Sequence, residues 1–380
     1  MTVDAAQILT ELVAIDSVSD RPNRPIIDWL AQWLEKRGFE LHFHRYRDER
    51  GVEKLNLVAV AGPKRQPIGA GGLALAGHTD TVPYDPAWTD ALRVTERDGK
   101  IYGRGTADTK GFIAASLAAI DRTGTERLQE PLVCIFTADE EVGCVGARKL
   151  LAELEVRPAH VIVGEPTRLV PIRSHKGYWL AEIEFRGGEG HSAFPSVGRS
   201  AILDAGRLLC RLESVQKELE GDPDPTFDPP FTTLNVGTIE GGKARNVIAG
   251  RCAFPLEWRP IPHQEGEKVA RILRRELDEI VAEDPGVEAS FVVSRTDPAV
   301  ATPPDAAIVR FLEQATGNAS TTIPFGTELP YFDAVGTLGC VCGPGDIRTA
   351  HRTGEYVERA ELDRAVEIYV QAIEHFCRGN

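Results

Sequence analysis

Three short apolar runs, Leu73-Ala-Leu-Ala-Gly77, Leu132-Val-Cys-Ile-Phe136 and Val161-Ile-Val163, each stop beside groups that can carry a proton or bind a metal. The first leads into His78 and Asp80, the second into Asp139-Glu140-Glu141, the third into Gly164-Glu165. Runs this short and this apolar read as strands buried on both faces, which is the pattern of parallel pairing. Helical stretches separate them, notably Phe112-Ile-Ala-Ala-Ser-Leu-Ala-Ala-Ile120. Strands alternating with helices imply an α/β fold, a mostly parallel sheet covered by helices. Ligands of such sheets lie outside the carboxyl ends of the strands, where these acidic groups fall. Taken alone, His78 and Asp80 read as a structural hydrogen-bonded pair.

Two helices precede the first strand. One carries Ile8, Leu9, Leu12 and Val13, and the other opens at Pro25 and stops at Gly38. Phe39, Leu41 and Phe43 alternate with Glu40, His42 and His44, which predicts a strand with one wet face and makes both histidines solvated. Leu55–Val60 reads as a strand and Gly62–Gly72 as the loop after it. Gly69-Ala-Gly-Gly72 is no phosphate loop, because it precedes a strand instead of opening a helix. Past His175 the pattern changes to strand, helix, two strands, helix, strand. That order is the split motif of a ferredoxin-like antiparallel sheet. The expected organisation is a catalytic domain in two pieces, residues 1–173 and 297–380, with an inserted α+β ferredoxin-like domain at 174–296.

With 380 residues, 42% hydrophobic and 26% charged, the chain can bury a large core. Its formal charge of -14, from 43 Lys+Arg against 57 Asp+Glu, disfavours nucleic acid and anionic membranes as partners. Seven scattered cysteines, an N-terminus without a basic start and the lack of a long apolar run predict a cytoplasmic protein. Cys340-Val-Cys342 reads as two small core residues and not as a metal pair.

The candidate ligands are His78, Asp108, Glu141, Glu165 and His351, supported by Asp80 and Glu140. Two imidazoles with three carboxylates suit Zn²⁺ better than Mg²⁺, which prefers oxygen throughout. Five ligands exceed what one open tetrahedral site uses. Two ions sharing a carboxylate would occupy them all, with Asp108, central in the set, as the bridge and the ions roughly 3.5–4 Å apart.

Leu75-Ala-Gly-His78-Thr-Asp80-Thr-Val-Pro83, Gly103-Arg-Gly-Thr-Ala-Asp108-Thr-Lys-Gly111, Thr137-Ala-Asp-Glu140-Glu141-Val-Gly143 and Gly164-Glu165-Pro-Thr167 resemble, in order, the motifs of a two-zinc amidohydrolase and peptidase family. That family includes acetylornithine deacetylase, succinyl-diaminopimelate desuccinylase, carboxypeptidase G and the aminoacylases. The similarity runs through nearly the whole chain, and Gly164-Glu-Pro-Thr167, His175-Lys-Gly177, Gly190-His191-Ser192 and Gly343-Pro-Gly345 look closest to the acetylornithine deacetylases.

The resemblance implies a zinc-peptidase-like catalytic domain and two divalent ions per subunit, Zn²⁺ with Co²⁺ as an alternative. His78 and Glu165 would hold one ion, Glu141 and His351 the other, and Asp108 both. The Asp80 carboxylate would accept the hydrogen bond of the outward-facing ring nitrogen of His78 and fix its tautomer. Glu140 would be the general base. His191, on the inserted domain, would reach across a homodimer to the acyl oxygen. Arg259 would pair with a substrate carboxylate, with Asn246 and Thr327 nearby. Apart from the resemblance, Glu328, in Gly326-Thr-Glu-Leu-Pro330, is a candidate to meet a substrate ammonium group.

The implied reaction removes the acyl group from an N-acyl amino acid, N2-acetyl-L-ornithine first, as in arginine biosynthesis. Acetylcitrulline, succinyl-diaminopimelate or a dipeptide stay open as substrates, as does a catalytically silent metal-binding module, against which Glu140 argues. Two segments depart from the deacetylase pattern. Arg352-Thr-Gly354 follows His351 where a basic or amide residue, Pro and Asp are usual, and Glu257-Trp258 precedes Arg259 where Asp and an aliphatic residue are common.

Overall fold

The glycine-rich approach to His78 is strand, not loop. In the computed structural model, which describes residues 3–378, the strand spans Ile68–His78. Its register against Val156–Pro166 shifts between Ile68 and Gly71. Gly72 there has φ +57°, and a Cβ on it would lie 1.9 Å from the carbonyl oxygen of Pro131, so only glycine lets the two backbones approach.

The chain divides into two compact units. The first comprises Met1–Arg173, Thr302–Thr321 and Thr327–Asn380; the second comprises Ser174–Ala301 and Thr322–Gly326. In the first, strands run in the order Glu40–Arg47, Glu53–Ala61, Leu132–Thr137, Ile68–His78, Val156–Pro166 and Leu338–Gly343, and Ile172 pairs beyond the last. The four from Leu132–Thr137 to Leu338–Gly343 are mutually parallel. The strands outside them pair antiparallel, so the sheet is mixed and its parallel part is its middle. The middle strands therefore deliver His78, the 138–141 turn and Glu165 to one edge.

Helix Lys110–Thr123 is buried from Lys110 to Ile120, packed between the sheet and the helices Ala5–Val13 and Arg359–Ile373. Its Phe112 seats against the sheet where Gly164 provides the room: a Cβ at Gly164 would fall 2.1 Å from the ring. This contact sets the depth of the residue that precedes Glu165. Helices Ala5–Val13, Arg24–Glu35, Ala307–Thr316 and Arg359–Ile373 complete the core.

His44 corrects the reading of the first strand. It is 6% exposed, with Nε2 2.9 Å from the Glu153 carboxylate and Nδ1 3.0 Å from the Asn56 amide. The side chains do alternate, but with the opposite phase at the strand's centre: Phe43, expected inside, is exposed and His44 is buried, because helix Val145–Glu153, unmarked in the sequence, supplies Glu153 as a partner. Six of the seven cysteines are buried, Cys210 is exposed, and all are free thiols. No helix among the described residues is long and apolar enough to cross a membrane.

The second unit has the ferredoxin-like order, Thr233–Asn235, Arg251–Arg259, Tyr178–Arg186, Glu288–Asp297, antiparallel throughout. Helices Ala201–Glu220 and Gly266–Glu283 bury Leu208 and Leu273 against Ile183, Phe254 and Trp258 of the sheet. His175, fully buried, has Nδ1 2.9 Å from the carbonyl oxygen of Lys176, and burial pushes its pKa down to about 4. The unfolded chain takes up this proton below about pH 6.5, the folded chain only near 4. The contribution of His175 to stability is thus complete above pH 6.5 and is lost as pH falls to 4, by about 3 kcal/mol. Urea unfolding at several pH values should show wild type losing that much more than His175→Gln across this window.

Candidate metal centre

His78 is the last residue of its strand and 1% exposed. Its Nδ1 lies 3.0 Å from the backbone oxygen of Asp80 and 3.5 Å from the Asp80 carboxylate. The carbonyl is the closer acceptor, and the carboxylate stands beside it at the limit of hydrogen-bonding distance. With its proton directed there, Nε2 faces the site, 2.9 Å from Asp108 Oδ1 and 4.0 Å from Glu165 Oε1. Asp108 turns its other oxygen, Oδ2, to His351 Nε2 at 3.2 Å, and the same imidazole nitrogen is 3.0 Å from Glu141 Oε2. One carboxylate thus addresses two histidines with separate oxygens.

The carboxylate of Asp80 is turned to the acidic turn. Oδ1 accepts the Glu140 N–H at 3.2 Å, and Oδ2 accepts the Glu141 N–H at 3.3 Å and the Ser19 hydroxyl at 2.7 Å. The turn is braced from its other end by Asp139, which has φ +58°. Its carboxylate meets the buried Lys54 ammonium at 2.8 Å and accepts from the Tyr46 hydroxyl at 2.8 Å. Ser19, Tyr46 and Lys54 were not singled out in the sequence, since each comes from a distant segment and looks like an ordinary polar residue there.

Among the described residues, two groupings bring donor atoms within 4.8 Å of one another: His78 with Glu140 and Glu165, and His78 with Asp108 and Glu141. The carboxylates respond to this crowding. Burial pushes Glu140 up to about 8, with Glu141 and Asp108 adding to it and His78 opposing. Burial, then the neighbouring Asp108 and Glu140, holds Glu165 well above the ordinary carboxylate range. For Asp108 burial acts upward too, but the hydrogen bonds of His351 and His78 win and its pKa is lowered. Glu165 Oε1 is buried without a hydrogen-bond partner. Buried anions of this density call for cations, and two imidazole nitrogens with three carboxylates are the donors that borderline divalent ions take. The residues fit a pair of such ions.

Of the other expected residues, Thr327 is 3% exposed, and its hydroxyl accepts the Leu329 N–H at 3.2 Å, opening the short helix Leu329–Asp333. Glu328 is 1% exposed; its Oε1 accepts the Thr137 hydroxyl at 2.6 Å, and burial raises its pKa to about 7. Three expected residues belong to the second unit. His191 and Asn246 are exposed and adjacent there: His191 bridges Val247, and the Ser192 N–H donates to the Asn246 carbonyl at 3.0 Å. Arg259 lies over the Tyr178 ring at 4.7 Å, with Nε 3.5 Å from Glu257.

Fold and site define a metal-dependent hydrolase of α/β architecture. The profile of Peptidase family M20/M25/M40 matches residues 74–375, and the chain belongs to this family. It is 53% identical over 372 residues to an acetylornithine deacetylase of Myxococcus xanthus, covering 98% of this chain and 97% of that one. An acetylornithine deacetylase of Proteus mirabilis is 37% identical over 368 residues, with 96% and 93% covered. Among solved structures, a tripeptidase of Staphylococcus aureus shares the fold with a TM-score of 0.80 at 20% identity, over 98% of this chain and 99% of that one. A dinuclear metal-binding peptidase of the M20 family from Bacillus subtilis gives 0.66 at 16% identity, with 97% and 96% covered.

Proposed function

We propose that the chain hydrolyses N2-acetyl-L-ornithine to L-ornithine and acetate, a step of arginine biosynthesis in the cytoplasm. The observation that carries this is the 53% identity to the Myxococcus xanthus deacetylase over 98% of the chain. His78 and Glu165 would hold one divalent ion, Glu141 and His351 a second, and Asp108 both, with Zn²⁺ or Co²⁺ as occupants. When bound, such a pair polarises the acyl carbonyl and brings the pKa of water at the site to about 7.

Glu140 accepts the proton of the attacking water as its oxygen adds to the acyl carbon, then passes it to the departing amine as the C–N bond breaks. Asp80 keeps Glu140 and Glu141 diverging by holding both of their amide groups. His191 stabilises the acyl oxygen from the second subunit of a homodimer. Phe194, Val197 and Leu203, close to His191 in sequence, are 62%, 63% and 73% exposed on the second unit and offer apolar side chains to such a partner. Sedimentation at micromolar concentration checks the dimer. Arg259 pairs with the substrate carboxylate, assisted by Asn246 and Thr327.

The test is a substrate panel with Zn²⁺ or Co²⁺ restored: acetylornithine, acetylcitrulline, acetylmethionine and succinyl-diaminopimelate. Acetylornithine should lead in kcat/KM by at least about tenfold, or about 1.4 kcal/mol. Preference for another member of the panel overturns the substrate, and cleavage of none overturns the reaction.

A further inference from the structure

We propose that the buried ion pair Arg104–Glu355 positions the metal centre, holding Asp108 and the His351 segment in register so that loss of the pair is read in metal binding itself. The inference rests on Asp108 and His351 being ligands. Arg104 Nη1 and Glu355 Oε2 are 2.6 Å apart, with side chains 3% and 1% exposed. The other oxygen, Oε1, accepts two successive backbone N–H groups, Ala107 at 2.9 Å and Asp108 at 3.1 Å. The backbone oxygen of Glu355 accepts the Gly103 N–H at 3.1 Å. Both ends of the Gly103–Asp108 loop are therefore tied to one residue 247 positions away from Asp108.

That residue is also four positions beyond His351. Between them, Arg352-Thr-Gly354 makes a turn in which His351 has φ 57° and Gly354 φ 80°. Just beyond, Tyr356–Glu358 pairs antiparallel with Lys100–Tyr102, the strand that feeds the loop. Arg104 further donates to the carbonyl of Pro83 at 3.3 Å, five residues past His78. Three ligand-bearing segments, those of His78, Asp108 and His351, thus converge on the pair.

A buried ion pair adds little stability over apolar residues of the same size, so stability alone is a poor account of it. Two charge-assisted N–H bonds to one carboxylate do fix the direction of the backbone they come from. Here that backbone is the one from which Asp108 reaches two imidazoles. Ligands must be held to within roughly 0.5 Å, and removing an outer partner of a ligand costs about 10–100-fold in metal affinity.

The experiment titrates metal-free protein with Co²⁺, following heat of binding and the visible absorption of the bound ion. Glu355→Gln and Arg104→Lys should weaken Co²⁺ binding about 10–100-fold and alter the absorption envelope, with unchanged far-ultraviolet circular dichroism. Arg37→Gln, which breaks the 2.6 Å Arg37–Asp121 pair elsewhere in the first unit, should lower the urea midpoint without moving either Co²⁺ signal. Wild-type affinity and spectrum in Glu355→Gln and Arg104→Lys overturn the proposal. Should Glu355→Gln not fold, Arg104→Lys decides, since it keeps the charge and loses the forked donor geometry. Wild type that binds no Co²⁺, or Asp108→Asn that binds it as well as wild type, overturns the metal-centre reading instead.

Discussion

Glu140→Gln should lower kcat by about 10²–10⁴-fold, the usual worth of a positioned general base, while the protein keeps two divalent ions. The substitution preserves shape and removes the proton acceptor. Its backbone stays tied, because the Asp80 carboxylate accepts the main-chain N–H of residue 140 whatever side chain it carries. KM should change little, since substrate is held by groups other than Glu140. The competing outcome is specific: Glu140 shares a grouping with His78 and Glu165, so a variant that sheds an ion would make Glu140 a ligand. Metal content by elemental analysis alongside steady-state kinetics separates the two. Full activity in Glu140→Gln would remove the base from the mechanism.

His78, Glu141 and Glu165 were legible because each sits where an apolar run stops, and the parallel middle of the sheet sends those ends to one edge. Asp108 and His351 were legible as candidates only in company. Their pairing through a single carboxylate depends on a loop and a turn that no periodicity marks. Asp80 was legible as a partner of His78, and the structure adds a second acceptor from the same residue. A side chain two residues along competes with its own backbone carbonyl for the ring nitrogen, and here the carbonyl is closer.

Strand direction was partly hidden. A strand buried on both faces looks alike in parallel and antiparallel company, so the antiparallel pairing of Glu53–Ala61 with Leu132–Thr137 left no mark in composition. Ile68–Gly72 misled because glycines signal turns, whereas here Gly72 admits the Pro131 backbone within a strand. Arg104 and Glu355 were invisible as a pair for the plainest reason, a separation of 251 residues.

Stripping the metals should abolish hydrolysis and lower stability, and both should return on adding Zn²⁺ or Co²⁺. The activity loss follows from the fit of the donor set, since Glu140 alone cannot lower the pKa of water or polarise the acyl group. The stability loss follows from mass action. A ligand that binds only the folded chain contributes about 4 kcal/mol per site at a free concentration a thousand times its Kd. The cluster gives this a structural cause: Asp108, Glu140, Glu141 and Glu165 lie close together, and Glu165 Oε1 is buried without a hydrogen-bond partner. In the metal-free chain those carboxylates must share protons with two histidines or remain uncompensated. Urea unfolding with and without Zn²⁺ measures the difference, and His351→Ala, which removes one imidazole while leaving His78 in place, should retain only part of it. Equal stability of the two forms, with activity also unaffected by chelation, would show that no ion occupies the cluster.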